Sequence, residues 1–289
     1  NLMTVQGIWV DGAHVTVTGS GYEPDGEFLH EGRRIEAREK GELLHLLRVA
    51  ALCNDAMMHK TDTGWDILGD PTEGALLAAA AKAGLCKGEL EEKHPRLGEI
   101  PFESERQFMA TLHADDGVRT AYVKGSVEKL LNLCSSVWIG GGEKPLDEAA
   151  RQAILEANRS MAERALRVLA VAIATYPVEL GKLDPDRLAG RVVLVGLVGM
   201  IDPPRDEARQ AIEQCQSAGI RVVMITGDNP LTAAAIAAQL GICKPGDTSV
   251  TGTEIGAMDD EELKALCRAR SVYARIEPLH KLRIVKAFK

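Results

Sequence analysis

The chain has 289 residues, of which 45% are apolar and 26% charged, which argues against a disordered or collagen-like protein. This length favours two structural units, because single domains usually contain about 100–200 residues. The net charge of −8 argues against non-specific binding to nucleic acid or to an anionic membrane surface.

Six cysteines occur singly, and none forms a CxxC pair. A zinc ribbon or a thioredoxin motif is therefore absent, and reduced thiols in a cytosolic core are the favoured interpretation. The most apolar runs are far shorter than the roughly 20 residues that cross a bilayer. Because the last residues stop within a helical pattern that has no cap, we expect a soluble segment excised from a longer protein.

The first two-thirds of the sequence mixes hairpins with helices. Asp11–Gly12 separates two β-rich runs and predicts a tight hairpin. Strands near 108–113 and 118–123 are predicted to pair across 115–117, whereas the glycine-rich segment 140–145 is predicted to be a loop. Hairpin-paired strands with interspersed helices indicate an α+β unit with an antiparallel sheet.

The stretch GDPTEGALLAAAAKAG predicts a well-defined helix. Asp70 is expected to be its N-cap, Pro71 its first residue, Glu73 the acid of a capping box and Gly84 its C-terminal stop.

From Ile201 onward, strands alternate with helices, as in a parallel α/β sheet. The predicted elements are helix 205–217, strand 221–225, helix 231–240, helix 260–269, strand 272–276 and a last helix. We therefore predict two domains, residues 1–199 and 200–289.

A buried strand pattern ends in Thr226–Gly227–Asp228 and leads directly into a helix. Ligands of open α/β sheets bind at the carboxyl ends of strands, where a hydroxyl and free amides can hold a phosphate. The alternative is an ordinary turn capped by Asp228 or Asn229. Lys281 follows the next strand and is suited to neutralise a phosphoryl group, unless it is simply a surface lysine.

Eight segments occur in a characteristic order: NLMTV, GDPTEGALL, PFESERQFM, YVKGSVE, ALRVLAVA, MIDPPR, MITGDN and ARIEPLHK. With them the sequence resembles the large cytoplasmic loop of a P-type cation-transporting ATPase of the calcium-pump branch. The resemblance covers essentially the whole chain. It implies an α+β nucleotide-binding domain with an antiparallel sheet, and part of an α/β haloacid-dehalogenase-like, Rossmann-like phosphorylation domain.

The resemblance also implies roles for residues that match the family motifs. The residues implied to bind nucleotide are Glu73, Phe102, Lys124, Gly125, Arg167 and Arg275. Phe102 would stack on adenine, and small Gly125 would let the ring approach. Three structural alternatives stay open: a core role for Phe102, an edge-strand lysine at 124, and an ion pair between Arg167 and Glu163.

The same family pattern implies a catalytic group and a hinge. The catalytic residues are Thr226, Gly227, Asp228 and Lys281, and the hinge is formed by Asp202, Pro203 and Pro204. The sequence departs from the pattern at Gln107, where a lysine is usual, and at Ser104, where some members have arginine. The DKTGT and TGDGVND motifs, which carry the phosphorylated aspartate and the magnesium ligands, do not occur in the chain.

The implied function is ATP binding within an ion pump that forms an aspartyl-phosphate and moves a cation, calcium by family likeness. ATP and Mg²⁺ are the implied cofactors, with no metal ligand in this chain. The implied partners are the rest of the phosphorylation domain and the actuator and transmembrane domains, at the cytoplasmic side of the cell membrane. The alternatives are a soluble haloacid-dehalogenase-like phosphatase with a large cap domain and a non-catalytic nucleotide-binding module.

Overall fold

The computed structural model describes residues 2–62, 64–202, 206–244 and 246–288. The chain divides into two units. The first comprises Asn1–Asn158 and Val168–Asp202, and the second comprises Arg159–Arg167 and Pro203–Lys289. The division predicted at 199/200 falls within the strand that ends at Ile201.

One predominantly antiparallel sheet contains most of the strands before residue 202. The strands are β1 (Thr4–Val10), β2 (Ala13–Val17), β3 (Phe28–His30), β4 (Arg33–Ile35), β5 (Met57–Thr61), β6 (Gly64–Leu68), β7 (Arg96–Ile100), β8 (Phe108–Asp115), β9 (Val118–Gly125), β10 (Cys134–Ile139), β11 (Gly142–Pro145), β12 (Arg167–Tyr176) and β13 (Val192–Ile201). Their order is β4-β3-β2-β1-β13-β12-β9-β8-β7, with β10 parallel to β13 and β11 beside β10. Strands β5 and β6 form a separate hairpin.

The tight turns of this sheet use the predicted residues. Asp11 and Gly12 have φ values of 53° and 74°, and Asp116 and Gly117 have 35° and 82°. These left-handed conformations match the twist of two-residue hairpins. The loop predicted at 140–145 is wrong from Gly142 onward, because Gly142–Pro145 pairs with β10.

Helices pack on the sheet and build its core. They are α1 (Gly41–Leu52), α2 (Pro71–Lys82), α3 (Lys87–Lys93), α4 (Val127–Leu133) and α5 (Glu148–Glu163). Leu46 of α1, Ile8 of β1 and Val198 of β13 belong to one apolar cluster and are fully buried. The predicted N-cap of α2 is confirmed, since the Asp70 carboxylate accepts a 2.7 Å hydrogen bond from Thr72 N.

The second unit contains a small parallel sheet. Its elements are α6 (Asp206–Ser217), β14 (Met224–Ile225), α7 (Pro230–Gln239), β15 (Val250–Thr251), α8 (Gly252–Ala257), α9 (Asp260–Ala269), β16 (Val272–Ala274) and α10 (Pro278–Ala287). The strand order is β14-β16-β15. Strand β14 is shorter than predicted, because its partner β16 begins at Val272, opposite Met224. In the described part of the chain, no helix has the length and apolar character needed to cross a membrane.

Candidate functional site

Lys124 lies in β9 between β8 and β12, in the interior of the large sheet. The edge-strand alternative is therefore wrong. Only 9% of its side chain is exposed. Its ammonium group forms an ion pair with Oε1 of Glu73 and donates a 2.5 Å hydrogen bond to the carbonyl of Cys53. A buried lysine requires such partners, because an unpaired charge inside a protein is very costly.

Glu73 occupies the first turn of α2, yet it makes no capping box. Its second carboxylate oxygen, Oε2, accepts hydrogen bonds of 3.1 Å from the amides of Asp55 and Ala56. The predicted capping role is wrong because two loop amides and the Lys124 ammonium compete for the same carboxylate. Both oxygens of Glu73 are thus held in place.

The loop after α1, residues 53–56, holds this ion pair in place, and its role was not predicted from the sequence. Asn54 is fully buried; its amide nitrogen donates to the carbonyl of Glu73 at 2.9 Å, and its side-chain oxygen accepts from Ala56 N at 2.9 Å. Lys87 Nζ donates to the carbonyls of Asn54 and Ala56 at 2.8 and 2.9 Å. The available signal was an Asn–Asp pair directly after an apolar helix, since Asn side chains commonly stabilise such turns.

Gly125 follows Lys124 and is enclosed by protein. A Cβ atom there would lie 2.5 Å from the carbonyl oxygen of Gln107 and 2.6 Å from the Cβ of Phe108. The close approach of β8 therefore excludes a larger side chain at 125, whether or not a ligand binds nearby. Gln107 has a φ of 58°, and its carbonyl accepts a 2.9 Å hydrogen bond from Ser126 N.

The loop that joins β7 to β8 presents Phe102 to solvent. The Phe102 side chain is 59% exposed, so the core alternative is wrong. The loop is held by hydrogen bonds within itself, from Gln107 N to Glu103 O at 2.8 Å and from Arg106 to Pro101 O at 3.1 Å. Because this loop ends beside Gly125, an aromatic face is available on the segment adjoining the Lys124 strand.

Arg167 and the hinge residues are less constrained. Arg167 begins β12 and is exposed, and in the described residues it forms no ion pair; Glu163 instead pairs with Arg159 at 3.0 Å. Asp202 follows β13 and is half-buried, with one carboxylate oxygen unpartnered among the described residues. Pro203 and Pro204 lie outside the described residues.

In the second unit, the structure brings Thr226, Asp228 and Arg275 together. The Thr226 hydroxyl donates to the Asp228 carboxylate at 2.7 Å and accepts from the Asp228 amide at 3.1 Å. The Arg275 amide donates to the Asp228 carbonyl at 3.1 Å. Arg275 has a φ of 53°, a conformation that costs a residue with a side chain about 1 kcal/mol or more. Gly227, between the two polar residues, is exposed.

The turn 226–229 also agrees in part with the alternative interpretation, that it is an ordinary turn capping the next helix. Asn229, rather than Asp228, caps α7 by accepting a 2.9 Å hydrogen bond from Leu231 N, and Pro230 is the first helical residue. Asp228 is therefore not needed as a cap. Lys281 lies in the first turns of α10, and its exposed ammonium makes no hydrogen bond or ion pair to the described residues. Across the described residues, no cluster of three or more His, Cys, Asp or Glu side chains is placed to hold a metal ion.

Comparison with models of protein families identifies the family to which this chain belongs. The model of the P-type ATPase cytoplasmic domain N matches residues 42–207, more than half of the chain and all of the Glu73–Lys124 region. The chain belongs to the P-type ATPase family. A model of haloacid dehalogenase-like hydrolases matches residues 177–271 of this P-type ATPase chain. The predicted combination of an α+β unit with a haloacid-dehalogenase-like unit is confirmed.

Curated relatives agree with the family. A cation-transporting ATPase of Synechocystis is 42% identical over 100% of the chain and 32% of its own length. A calcium-transporting ATPase of Bacillus subtilis is 37% identical with the same coverage. A calcium-transporting ATPase of Bacillus cereus is 42% identical over 84% of the chain and 27% of its own length. The chain thus spans about a third of the length of these P-type ATPases.

Proposed function

We propose that this chain is the ATP-binding region of a P-type pump that couples aspartyl-phosphate formation to cation transport, with calcium as the ion. Residues 1–199 would form the nucleotide-binding domain and residues 200–289 part of the phosphorylation domain. The observation that carries the proposal is the buried Lys124–Glu73 pair, beside a loop that exposes Phe102.

In the first unit, ATP would bind through its base. The exposed ring of Phe102 offers a face on which adenine can stack, an interaction worth about 1–3 kcal/mol per base. Lys124 and Glu73 would form the polar part of the adenine pocket, and Gly125 would follow Lys124 without a side chain to obstruct it. In the second unit, Arg167 and Arg275 each present an exposed guanidinium of the kind that binds a phosphate.

The second unit would act on the γ-phosphoryl group. Charge on a transferring phosphoryl group is stabilised by groups such as the Thr226 hydroxyl, the exposed Gly227 backbone and the exposed Lys281 ammonium. Asp228 orients Thr226 through the 2.7 Å hydrogen bond. Among the described residues, no three His, Cys, Asp or Glu side chains are grouped so that they could hold Mg²⁺.

The remaining partners would be other domains of the pump, on the cytoplasmic side of the cell membrane. Two observations support this. The relatives are about three times longer than the chain. Helix α10 also exposes Leu279, Leu282 and Val285 by 75%, 53% and 42%, an apolar surface suited to cover by further protein. Calcium is proposed because several relatives are named calcium-transporting ATPases.

The complete pump, assayed in inverted membrane vesicles, tests the proposal. We expect ATP-driven uptake of radioactive calcium and an acid-stable phosphoenzyme, both abolished by Lys281→Ala. Uptake of another cation in place of calcium would contradict the ion assignment alone. Absence of any phosphoenzyme in the complete protein would contradict the catalytic proposal and favour a non-catalytic nucleotide-binding module.

A further inference from the structure

A pocket of about 500 Å³ lies in the first unit and shares no residue with the proposed nucleotide contacts. One wall is the start and middle of α1, including His45 and Arg48. A second wall is the end of α3 with Lys93 and the following His94, and Trp138 of β10 contributes a third. Three separate elements therefore line it.

The charges of this pocket are unbalanced. Among the described residues, neither Arg48 nor Lys93 has a carboxylate within ion-pair distance. His94 lies 3.1 Å from the Asp115 carboxylate. Glu42 is the acidic residue in the lining. A half-buried arginine without a counter-charge is unusual, because guanidinium groups taken out of water are normally paired.

Two hydrogen-bond donors in the lining side chains also lack acceptors. Nη2 of Arg48 lies 2.8 Å from Nδ1 of His45. Since arginine can only donate, Nδ1 is the acceptor, and the ring proton of neutral His45 resides on Nε2. His45 Nε2 and Arg48 Nε are both buried, with no partner among the described residues. Each such donor destabilises the chain until an acceptor reaches it.

The protonation state of His45 agrees with this geometry. Burial, followed by the positive charge of Arg48, lowers the pKa of His45 to about 4. The ring is therefore neutral near pH 7, and its Nε2–H is a hydrogen-bond donor without an acceptor among the described residues.

Much of the remaining lining is apolar. The Trp138 ring packs against His45 with their centroids 5.4 Å apart and their planes 34° from parallel. Leu44, Leu85 and Leu90 also line the pocket. Aromatic and aliphatic walls with a few convergent polar groups are typical of small-molecule sites.

We propose that this pocket binds a small aromatic anion, whose carboxylate or phosphate accepts hydrogen bonds from Arg48 and His45 while its ring packs beside Trp138. Lys93 supplies long-range attraction at the rim. Both donor atoms are buried, so the proposed binding requires rotation of the Arg48 and His45 side chains. A bound anion would supply both a counter-charge for Arg48 and acceptors for the two unpartnered donors.

Amide and indole ¹H–¹⁵N spectra of the whole chain, titrated with benzoate and with phenyl phosphate, test this proposal. The Trp138 indole resonance, assigned with Trp138→Phe, is expected to shift saturably, whereas that of buried Trp9 stays fixed. Benzamide, the neutral analogue, is expected to produce no saturable shift. A preference for one probe then identifies the anionic group.

Variants locate the binding. Arg48→Gln is expected to weaken binding about tenfold, the loss typical of one charged hydrogen bond, and exposed Lys93→Gln about twofold. Arg33→Gln, which removes an exposed charge on β4, serves as the matched control and leaves the affinity unchanged. If the spectrum of Arg48→Gln shows that this variant does not fold, the twofold loss of affinity expected in Lys93→Gln becomes the test.

Three results would overturn the proposal. The first is the absence of a saturable Trp138 shift throughout the millimolar range with either probe. The second is equal binding of benzamide, which would mean that the charge plays no part. The third is a loss of probe binding in Phe102→Ala, which would place the probes in the proposed nucleotide site.

Discussion

Lys124 and Glu73 form a buried ion pair that joins a central strand of the sheet to the first turn of α2. The carbonyl of Cys53 and two loop amides complete the hydrogen bonding around the two charges. The Lys124 and Glu73 side chains, which we propose recognise adenine, are therefore held in place by the protein itself. Such preorganisation reduces the entropy lost on binding.

Removing one member of this pair leaves the other charge buried and unpaired. Lys124→Ala is expected to lower the free energy of unfolding by about 3–5 kcal/mol, and Glu73→Gln by a similar amount. Urea unfolding followed by circular dichroism measures this loss. Lys144→Ala, on an exposed position of β11, is the control and should change stability by less than about 0.5 kcal/mol. A Lys124→Ala variant as stable as this control would show that the ion pair is not buried in solution.

A second prediction concerns Gln107, where the family usually has lysine. Gln107→Lys is expected to tighten ATP binding by about 0.5–1 kcal/mol at low ionic strength, and the gain should shrink as salt is added. Gln152→Lys, on an exposed face of α5, makes the same change of charge and should have no effect. Unchanged affinity in Gln107→Lys would mean that residue 107 does not face the nucleotide.

Stability should depend on pH through His45. Its pKa is lowered in the folded chain from 6.5 to about 4, so the unfolded chain takes up this proton first as the pH falls. The stabilising contribution is therefore complete above pH 6.5 and is lost as the pH falls towards 4. Buried His113, whose pKa burial also lowers, adds to the same trend.

Urea unfolding at a series of pH values isolates the contribution of His45. The fall in stability between pH 6.5 and 4 should be smaller in His45→Gln than in the natural sequence. An identical pH profile in the two proteins would contradict the neutral, buried state of this ring.

The 289-residue chain should not phosphorylate itself. It lacks the DKTGT aspartate, and positioning groups alone cannot provide the nucleophile. Incubation with γ-labelled ATP is expected to leave the protein unlabelled. An acid-stable label that hydroxylamine removes would reveal an acyl-phosphate and refute this expectation.

The elements that local patterns specify were predictable. Asp11–Gly12 and Asp116–Gly117 are hairpin turns because few other residue pairs adopt two left-handed conformations. Asp70–Pro71 similarly fixes the start of α2. The β10–β11 hairpin was missed, because Gly140–Gly141–Gly142 has the composition of a loop and the pairing depends on β13, some fifty residues further along the chain.

The candidate site was likewise predicted only where local sequence motifs specify it, not where distant residues come into contact. Family motifs pointed to Glu73 and Lys124, but their mutual pairing depends on contacts between residues far apart in sequence. The capping box at Glu73 failed for this reason, because tertiary donors replaced the local one. Asn54 was missed because its hydrogen bonds become meaningful only once α1 and α2 are adjacent.

Calorimetric titration with ATP tests the central claim, that the nucleotide is held by the first unit through Phe102 and the Lys124 strand. Phe102→Ala should weaken ATP binding by about 1–3 kcal/mol without loss of stability, since its ring is exposed. Lys281→Ala should bind ATP as the natural sequence does, and so should Leu68→Ala, a control at another exposed apolar residue. Normal ATP affinity in Phe102→Ala together with a large loss of affinity in Lys281→Ala would place the nucleotide in the second unit. That result would contradict the proposed function of the first unit.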